Sequence, residues 1–262
     1  QYKDITSDSI YPESEIGTAN FIAKDSGIVS GLRIIKEGYR LLQDSIEVNL
    51  CKKDGERVKQ GDKLASVTGP IRTILTGERV ILNLLQRMSG ISTMTNRAVQ
   101  TLNNPAIKII DTRKTTPGLR MFEKYAVTAG GGYNHRFGLH DMIMIKDNHI
   151  AFSGSIIKAV KRVREQLGPA IKIEVETENI DEVKEAVAAD VDIIMFDNCS
   201  AEEINSMATF VPDHILREAS GGITLDNLAT YKDSKLDFIS LGFLTHSVKA
   251  LDISLLIEGE EV

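Results

Sequence analysis

The chain has 262 residues, of which 42% are hydrophobic and 26% are charged. Its 31 Lys and Arg residues oppose 37 Asp and Glu residues, which gives a formal net charge of −6. Such values are typical of a globular protein of one large or two smaller domains, and they exclude collagen-like and disordered chains. No apolar run approaches the ~20 residues of a membrane span. The acidic balance argues against a nucleic-acid partner, and on charge alone an anionic ligand is not expected.

The two cysteines, Cys51 and Cys199, lie far apart and neither belongs to a CxxC pair. This spacing favours neither a disulfide framework nor a cysteine zinc site. Cys199 follows an apolar run, which is typical of a free thiol at the edge of a core. Free thiols fit a reducing compartment, so a cytoplasmic protein is predicted.

Residues 1–75 carry short apolar runs between turns at Asp54-Gly55 and Gly61-Asp62, which predicts strands and turns. The spacing around these glycines is similar to the hairpin repeat of lipoyl and biotinyl carriers. No carrier lysine accompanies it, so a β-rich scaffold is favoured. Residues 76–102 have helical apolar spacing interrupted at Gly90, which predicts a domain boundary between Thr76 and Gly90.

Beyond residue 104 the pattern becomes strand, loop and helix, repeated. Strands are predicted at 107–111, 142–146, 171–176, 193–197, 215–219 and 238–241, and helices at 154–167, 180–188, 201–210 and 225–231. Near-continuous apolar strands that alternate with helices indicate a parallel sheet covered on both faces. The repeat predicts a (β/α) barrel of fewer than eight strands, with an open doubly wound sheet as the alternative.

Ligand chemistry in such sheets gathers at the carboxyl ends of the strands. The predicted strand ends carry 111–114 (DTRK), 146–149 (KDNH), Glu174 and Glu176, Asp197-Asn198, 220–222 (SGG), and Gly242 with His246. Paired carboxylates could hold Mg²⁺ or sugar hydroxyls, and glycine ends of late strands can approach a phosphate. Solvated loops and helix caps would explain any one of these features alone.

The stretch 111–148 holds six basic and four acidic residues. Arginine and lysine at strand ends, separated by glycines 130–132, predict loops that close around an anion with carboxylates and phosphates. Ion pairing on a solvated rim is the alternative. The histidines have neither HxxxH nor HExxH spacing, so a zinc enzyme is not indicated.

Several motifs occur together and in order: 77–79 (GER), 83–85 (NLL), 89–93 (SGIST), 111–118 (DTRKTTPG), His135-Arg136 and 146–149 (KDNH). With them the chain resembles the quinolinate phosphoribosyltransferase family, the decarboxylating nicotinate-nucleotide pyrophosphorylases of NAD biosynthesis. The resemblance implies an α/β fold. It comprises an incomplete (β/α) barrel of about six or seven parallel strands, residues 90–243, and an open-faced α/β sandwich, residues 1–89 joined by about 244–262.

The resemblance also implies an enzyme that joins quinolinate to phosphoribosyl diphosphate, working as a homodimer or larger homo-oligomer with shared sites. Thr112, Arg113, His135 and Arg136 would bind quinolinate, and Arg79 would reach the same pocket from a partner subunit.

The same resemblance assigns Lys114, Lys146, Glu176 and Asp197 to catalysis. The lysines would contact substrate carboxylate or phosphoribosyl diphosphate, and the two acids would hold ribose hydroxyls and Mg²⁺. The 5-phosphate would be bound by Ser220, Gly221, Gly222, Gly242 and His246.

Two alternatives stay open from the sequence. Phosphoribosyltransferase-like proteins of molybdenum-transport operons share the TRK and HR motifs but usually lose the KDNH motif, which is intact here. A non-catalytic carrier would need a modifiable lysine on a hairpin tip, and a binding-only barrel would keep the glycines but lose the cations.

Overall fold

The computed structural model describes residues 4–257, in which helices and strands follow one another closely. The first part of the chain contains α1 Ile5–Ile10, β1 Ile16–Ala23, β2 Gly27–Ile28, α2 Leu32–Leu42, β3 Glu47–Leu50, β4 Arg57–Val58, β5 Lys63–Pro70 and α3 Ile71–Leu102. The second part contains β6 Lys108–Ile110, α4 Arg120–Ala129, β7 Ile143–Ile145, α5 Asp147–Ser153, α6 Ile156–Leu167, β8 Ile173–Thr177, α7 Ile180–Ala188, β9 Ile193–Asp197, α8 Ala201–Met207, β10 Leu216–Ser220, α9 Leu225–Leu228, β11 Phe238–Ser240, α10 Phe243–His246 and β12 Ile253–Ile257.

The chain divides into two compact units. The first comprises the chain up to Asn96, Met121–Gly131 and the chain from Ser247. The second comprises Arg97–Arg120 and Gly132–His246. The domain limits given above, 1–89 with 244–262 and 90–243, stay a prediction. Within residues 4–257, no helix is both long and apolar enough to cross a membrane.

The first unit is built on a four-stranded antiparallel sheet in the order β12-β1-β5-β3. Its core contains fully buried aromatic side chains: the rings of Phe21 and Tyr39 meet edge to face with centroids 6.5 Å apart. The Tyr39 hydroxyl donates a hydrogen bond to the Ile74 carbonyl at 3.0 Å. Burial of an aromatic ring with its polar tip satisfied stabilises this unit without an unpaired hydroxyl.

Two expectations for this region were wrong. Residues 1–75 contain helix α2 as well as strands, and its buried residues Leu32, Ile35 and Tyr39 lie on one face at helical spacing. Gly90 does not interrupt α3, which is continuous from Ile71 to Leu102. A Cβ on Gly90 would lie 3.0 Å from the Ala250 Cα, so the glycine permits a close approach of two backbones.

The second unit contains a six-stranded parallel sheet in the order β6-β11-β10-β9-β8-β7. With β6 and β7 as its edge strands, it is the incomplete barrel that was predicted. All six predicted strands are present, shifted by at most two residues at an end. The middle strands are apolar and fully buried at positions such as Val175, Ile194 and Ile239. Because Ser220 pairs with Asp197 and Thr177 with Phe196, the carboxyl ends of β8, β9 and β10 share one edge.

The stretch 111–148 is more ordered than the loops expected from its sequence. It contains helix α4, strand β7 and the beginning of α5. Arg120 donates to Thr115 Oγ1 at 3.0 Å and to the carbonyl of Phe137 at 3.2 Å, so it braces the loop after β6. Lys124 is buried in the first unit. Arg120 and Lys124, two of the six basic residues of this stretch, therefore have a structural role and do not belong to a loop that closes around an anion.

Candidate active site

A cavity of about 480 Å³ opens at the carboxyl ends of the parallel strands of the second unit. It is lined by Thr112, Arg113, Lys114, His135, Arg136, Met144, Lys146, Glu176, Met195, Asp197, Asn198, Ser220, Gly221, Gly222 and Ser240. The lining therefore contains four cationic side chains, two carboxylates and a glycine-rich strand end. That composition suits a ligand that carries several negative charges and also hydroxyl groups.

The loop that follows β6 presents Arg113 and Lys114. Its turn is fixed locally, because the main-chain N–H of Lys114 donates to Thr112 Oγ1 at 3.0 Å. The Thr245 hydroxyl donates to the Lys114 carbonyl at 2.8 Å. Gly242 also lies against this lysine, since a Cβ there would come within 3.2 Å of Lys114 Cδ and 3.1 Å of the His246 ring. The structure thus brings Lys114, Gly242 and His246 together beside the cavity.

The Arg136 guanidinium is held by two contacts. It donates to the Met142 carbonyl at 3.1 Å and to Met144 Sδ at 3.4 Å. Burial, followed by the charge of Arg113, lowers the pKa of Arg136 from its ordinary value, although the group stays a cation at neutral pH. Two arginines close enough to repel each other form a place where a carboxylate would relieve that repulsion.

Lys146 stands at the junction of β7 and α5. Its main-chain N–H donates to His149 Nδ1 at 3.0 Å, so the histidine of the KDNH motif fixes the turn into the helix. The Lys146 ammonium forms an ion pair with Glu176 Oε2 at the rim of the cavity. The motif therefore places one lysine at the site, and its histidine supports the local backbone.

Glu176 and Asp197 end neighbouring strands, and both carboxylates line the cavity. Burial, and next the charge of Glu176, raises the pKa of Asp197. Asn198 adopts a left-handed backbone with φ 55° and donates from Nδ2 to Asp197 Oδ2 at 2.6 Å. A short side chain in this strained conformation fixes one carboxylate oxygen of Asp197.

The strand end after β10 turns through two glycines with positive φ, +80° at Gly221 and +65° at Gly222. A Cβ on Gly221 would press on the Asn198 amide, with its Cγ at 2.7 Å, and would lie 2.8 Å from Asp197 Oδ1. The backbone can pass this close to the two side chains because residue 221 has no side chain. The arrangement leaves main-chain groups of Ser220 to Gly222 at the wall of the cavity.

His135 lies deeper than a ligand-contacting loop histidine is expected to lie. Its side chain is 7% exposed, and its Nε2 is 3.1 Å from Glu174 Oε2 and 3.6 Å from Glu218 Oε2. Its Nδ1 accepts a hydrogen bond from the main-chain N–H of Arg136 at 2.6 Å. The ring thus lies between the backbone of the cavity wall and two buried acids beneath it.

Two family models match this chain and together span most of it. The N-terminal domain of quinolinate phosphoribosyl transferase matches residues 4–89, and the C-terminal domain of the same enzyme matches residues 91–256. The chain belongs to the quinolinate phosphoribosyltransferase family. The fold and the enzyme class expected from the motifs are thereby confirmed.

Relatives of known sequence or structure agree with this assignment. The chain is 55% identical over 252 residues to the probable nicotinate-nucleotide pyrophosphorylase [carboxylating] of Bacillus subtilis, covering 96% of this chain and 87% of that protein. It is 43% identical over 247 residues to the protein of that name from Synechocystis, covering 92% and 83%. The crystal structure of NadC from Streptococcus pyogenes superposes with a TM-score of 0.94 at 41% identity, covering 98% of this chain and 92% of that one.

Within this family, the structure gathers most of the predicted site residues around the cavity, and their individual roles stay predictions. Arg79 belongs to the first unit, on α3. Its side chain is 70% exposed and lies 3.8 Å from Glu78. Its predicted role requires a partner subunit.

Sequence reasoning assigned no role to several residues at or beneath the cavity, namely Met144, Met195, Asn198, Ser240 and Glu218. A usable signal was present, because side chains two residues apart on a strand point to the same face. Met144 precedes Lys146, Met195 precedes Asp197 and Glu218 precedes Ser220 by that spacing. Each therefore lies one level deeper on the face that carries the site.

Proposed function

We propose that this cavity carries out the reaction of the family: transfer of the phosphoribosyl group from phosphoribosyl diphosphate to the ring nitrogen of quinolinate, with loss of diphosphate and CO2. The product is nicotinate mononucleotide, a precursor in NAD biosynthesis. The observation that carries the proposal is one cavity that joins four cations, two carboxylates and a glycine-rich strand end. The cations suit the carboxylates and the diphosphate, the two acids suit the ribose hydroxyls, and the glycine-rich strand end suits the 5-phosphate.

The quinolinate end is proposed to lie against Thr112, Arg113, His135 and Arg136. A guanidinium can donate two parallel hydrogen bonds to one carboxylate, so two arginines match a pyridine dicarboxylate. Arg136 is held by Met142 and Met144 and loses little conformational freedom on binding. His135 lines the same cavity beside Arg136, whose main-chain N–H it accepts at Nδ1, and its ring is proposed to lie against the same carboxylates.

The phosphoribosyl diphosphate end is proposed to lie against the opposite set of strand ends. Main-chain groups of Ser220, Gly221 and Gly222 would bind the 5-phosphate, since late glycine-containing strand ends of barrels suit phosphate. Gly242 and His246 lie beside Lys114 and extend this surface. Lys114 and Lys146 would face the diphosphate, and Glu176 and Asp197 would accept hydrogen bonds from the ribose hydroxyls.

Magnesium fits the carboxylates of Glu176 and Asp197, which we propose as its protein ligands. Mg²⁺ prefers oxygen ligands and is commonly held by one or two carboxylates together with substrate phosphates. The raised pKa of Asp197, caused by burial and then by Glu176, indicates negative charge that a cation would compensate. When bound, the ion would neutralise charge on the diphosphate leaving group.

The residues of the cavity account for the chemical steps. Holding both anions side by side turns a bimolecular encounter into an intramolecular one. The pyridine nitrogen then bonds to the anomeric carbon as the bond to diphosphate breaks, and Lys114 and Lys146 stabilise the charge on the departing oxygens. Glu176 or Asp197 stabilises positive charge that develops on the ribose.

Decarboxylation follows without a dedicated acid or base. When the neighbouring carboxylate departs as CO2, the electron pair of the broken C–C bond stays on the ring carbon, where the adjacent positive nitrogen stabilises it. That carbon then takes a proton from solvent. A variant that binds both substrates normally yet loses the decarboxylation rate steeply, on neutralisation of one acid, would argue against this.

One assay tests the function. The protein is incubated with quinolinate, phosphoribosyl diphosphate and Mg²⁺, and nicotinate mononucleotide and CO2 are measured. Equimolar formation of both products is expected. Turnover of nicotinate but not of quinolinate would contradict the assignment, and omission of Mg²⁺ tests the proposed metal.

A homodimer or larger homo-oligomer with shared sites is proposed because Arg79 is exposed and the family role places it in a neighbouring subunit's pocket. Arg79→Ala and Arg113→Ala proteins, each inactive alone, are expected to recover part of the activity when co-assembled. No recovery in mixed assemblies of proven composition would contradict shared sites. We also propose a cytoplasmic location, in keeping with the free thiols Cys51 and Cys199.

A further inference from the structure

The loop that carries Lys114 is tied to a distant part of the chain by one buried hydroxyl. Lys114 is exposed, and it belongs to the segment between β6 and α4, which forms neither helix nor strand. Thr245 on α10 is 0% exposed, and its Oγ1 donates to the Lys114 carbonyl at 2.8 Å across 131 positions of sequence. A hydrogen bond from a buried group to the main chain fixes one peptide of an otherwise solvated loop.

The two segments that this bond joins follow neighbouring strands. β6 pairs with β11, and just beyond that pairing the Leu241 main-chain N–H donates to the Ile110 carbonyl at 3.0 Å. There one segment enters the loop of Lys114, and the other turns at Gly242 into α10. The Thr245 hydroxyl therefore continues the connection between the two segments past the end of the strands, where the cavity lies.

The geometry around the hydroxyl confines Lys114 further. A hydroxyl has one proton to donate, and the Lys114 carbonyl at 2.8 Å is closer to Thr245 Oγ1 than the Gly242 carbonyl at 3.3 Å. The Gly242 carbonyl accepts the main-chain N–H groups of Thr245 and His246, each at 3.2 Å, which fixes the turn that presents the hydroxyl. A Cβ on Gly242 would lie 3.2 Å from Lys114 Cδ, so the lysine side chain passes close to the same turn.

We infer that Thr245 is a positioning residue for phosphoribosyl diphosphate: its hydroxyl holds Lys114, which would face the diphosphate, at a fixed distance from the turn at Gly242, which would face the 5-phosphate. This inference rests on the function proposed above. It assigns the Thr245 hydroxyl no contact with substrate. Because the two ends of one substrate would be bound on either side of this hydrogen bond, the bond sets the span between the groups that hold them.

The quinolinate end has restraints that do not depend on this hydroxyl. Arg113 precedes Lys114 in the loop and is proposed to bind quinolinate. Its carbonyl accepts the Thr115 main-chain N–H at 2.9 Å and a hydrogen bond from Arg120 Nη2 at 3.4 Å. Loss of the Thr245 hydrogen bond is therefore expected to disturb the diphosphate end more than the quinolinate end.

The test removes the hydroxyl and keeps the shape of the side chain. In Thr245→Val a methyl group replaces Oγ1, and a carbon atom needs about 3.4 Å from the Lys114 carbonyl oxygen where the hydroxyl lies at 2.8 Å. Since misplacement by ~1 Å can cost about 100-fold in rate, kcat/KM for phosphoribosyl diphosphate is expected to fall about tenfold or more. The dissociation constant of quinolinate, measured by calorimetry, is expected to change less than about twofold.

Two further comparisons separate positioning from bulk stability. Thr245→Ser and Thr245→Ala differ only in the hydroxyl, and they decide the question should Thr245→Val fail to fold. The serine variant is expected to keep kcat/KM within about threefold of the wild type, and the alanine variant to lose it as the valine variant does. Thr73→Val is the matched control, because Thr73 Oγ1 donates to Gln43 Oε1 at 2.7 Å in the first unit. It is expected to lower the melting temperature and leave both KM values unchanged.

A double-mutant cycle measures whether Thr245 acts through Lys114. Thr245→Val is combined with Lys114→Ala, and kcat/KM for phosphoribosyl diphosphate is measured for the wild type, both single variants and the double variant. Since the hydroxyl serves to place the Lys114 ammonium, its loss is expected to cost less than about twofold once that ammonium is gone.

Four results would overturn the inference: unchanged kcat/KM for phosphoribosyl diphosphate in a folded Thr245→Val protein, equal kinetics of Thr245→Ser and Thr245→Ala, equal weakening of both substrates, or additive losses in the cycle. These outcomes are distinct from failure of the proposed function. In that case the wild type itself would form no nicotinate mononucleotide from quinolinate and phosphoribosyl diphosphate.

Discussion

Gly221→Ala gives a direct test of how closely the backbone approaches the proposed phosphate and ribose site. The φ of +80° at residue 221 costs any L-residue about 1–2 kcal/mol. In addition, the new Cβ would press on the Asn198 amide, with its Cγ at 2.7 Å, and would lie 2.8 Å from Asp197 Oδ1, whereas ordinary contacts begin near 3.4 Å. The Asn198 side chain, the Asp197 carboxylate that it binds or the strand end must therefore shift by several tenths of an ångström. Because misplacement by ~1 Å can cost about 100-fold in rate, we expect kcat/KM for phosphoribosyl diphosphate to fall about 10- to 100-fold.

The chain contains a matched control for the backbone strain. Gly61 has φ +88° and a Cβ there would meet nothing within 4 Å. Gly61→Ala is therefore expected to lower the melting temperature by a few degrees, as a cost of about 1–2 kcal/mol does in a chain of this size, without loss of activity. Steady-state kinetics and thermal melts of both variants complete the test. If Gly221→Ala kept full activity, or lost no more than Gly61→Ala, the close approach to Asn198 and Asp197 would be irrelevant to catalysis.

Three further predictions use simpler measurements. Lys146→Ala removes the ion-pair partner of Glu176. In steady-state assays kcat is expected to fall about 100- to 1,000-fold, as it does when other groups that stabilise developing charge are removed. An unchanged kcat would exclude Lys146 from that role. Cys51 is exposed, whereas Cys199 is buried and burial raises the pKa of its thiol to about 11. A thiol reagent should therefore label Cys51 first in the native protein, and equal rates would argue against the burial of Cys199. Tyr39→Phe removes the hydrogen bond to Ile74, so a loss of about 1–2 kcal/mol of unfolding free energy is expected in denaturant titrations, and wild-type stability would refute it.

Much of the second unit could be predicted from the sequence, because its strands are buried on both faces and its helices are amphipathic. Continuous apolar runs such as Ile193–Asp197 and capped helices such as Ile180–Ala188 appear in the structure with the predicted bounds. Helix α2 is harder to predict because it contains Gly38, a residue that disfavours helices. At Gly38 a Cβ would lie 2.9 Å from Ile81 Cγ1, so this glycine permits a tertiary contact and makes no turn. A glycine selected for tertiary contact is indistinguishable, in one sequence, from a glycine selected for a turn.

The same distinction applies to the candidate site. Strand order predicts which residues lie at the edge of the sheet, whereas three-dimensional packing determines which way their side chains point. Residues at strand ends, such as Glu176 and Asp197, could be brought together by topology alone, because parallel strands deliver their carboxyl ends to one edge. The orientation of the His135 ring depends on the residues that lie beneath it, Glu174 and Glu218. Nothing in the sequence around Glu218 distinguishes it from other strand residues. A net charge of −6 is likewise uninformative about the cavity. The cations that line it are few, and the buried acids beneath it contribute to the formal sum although burial favours their neutral form.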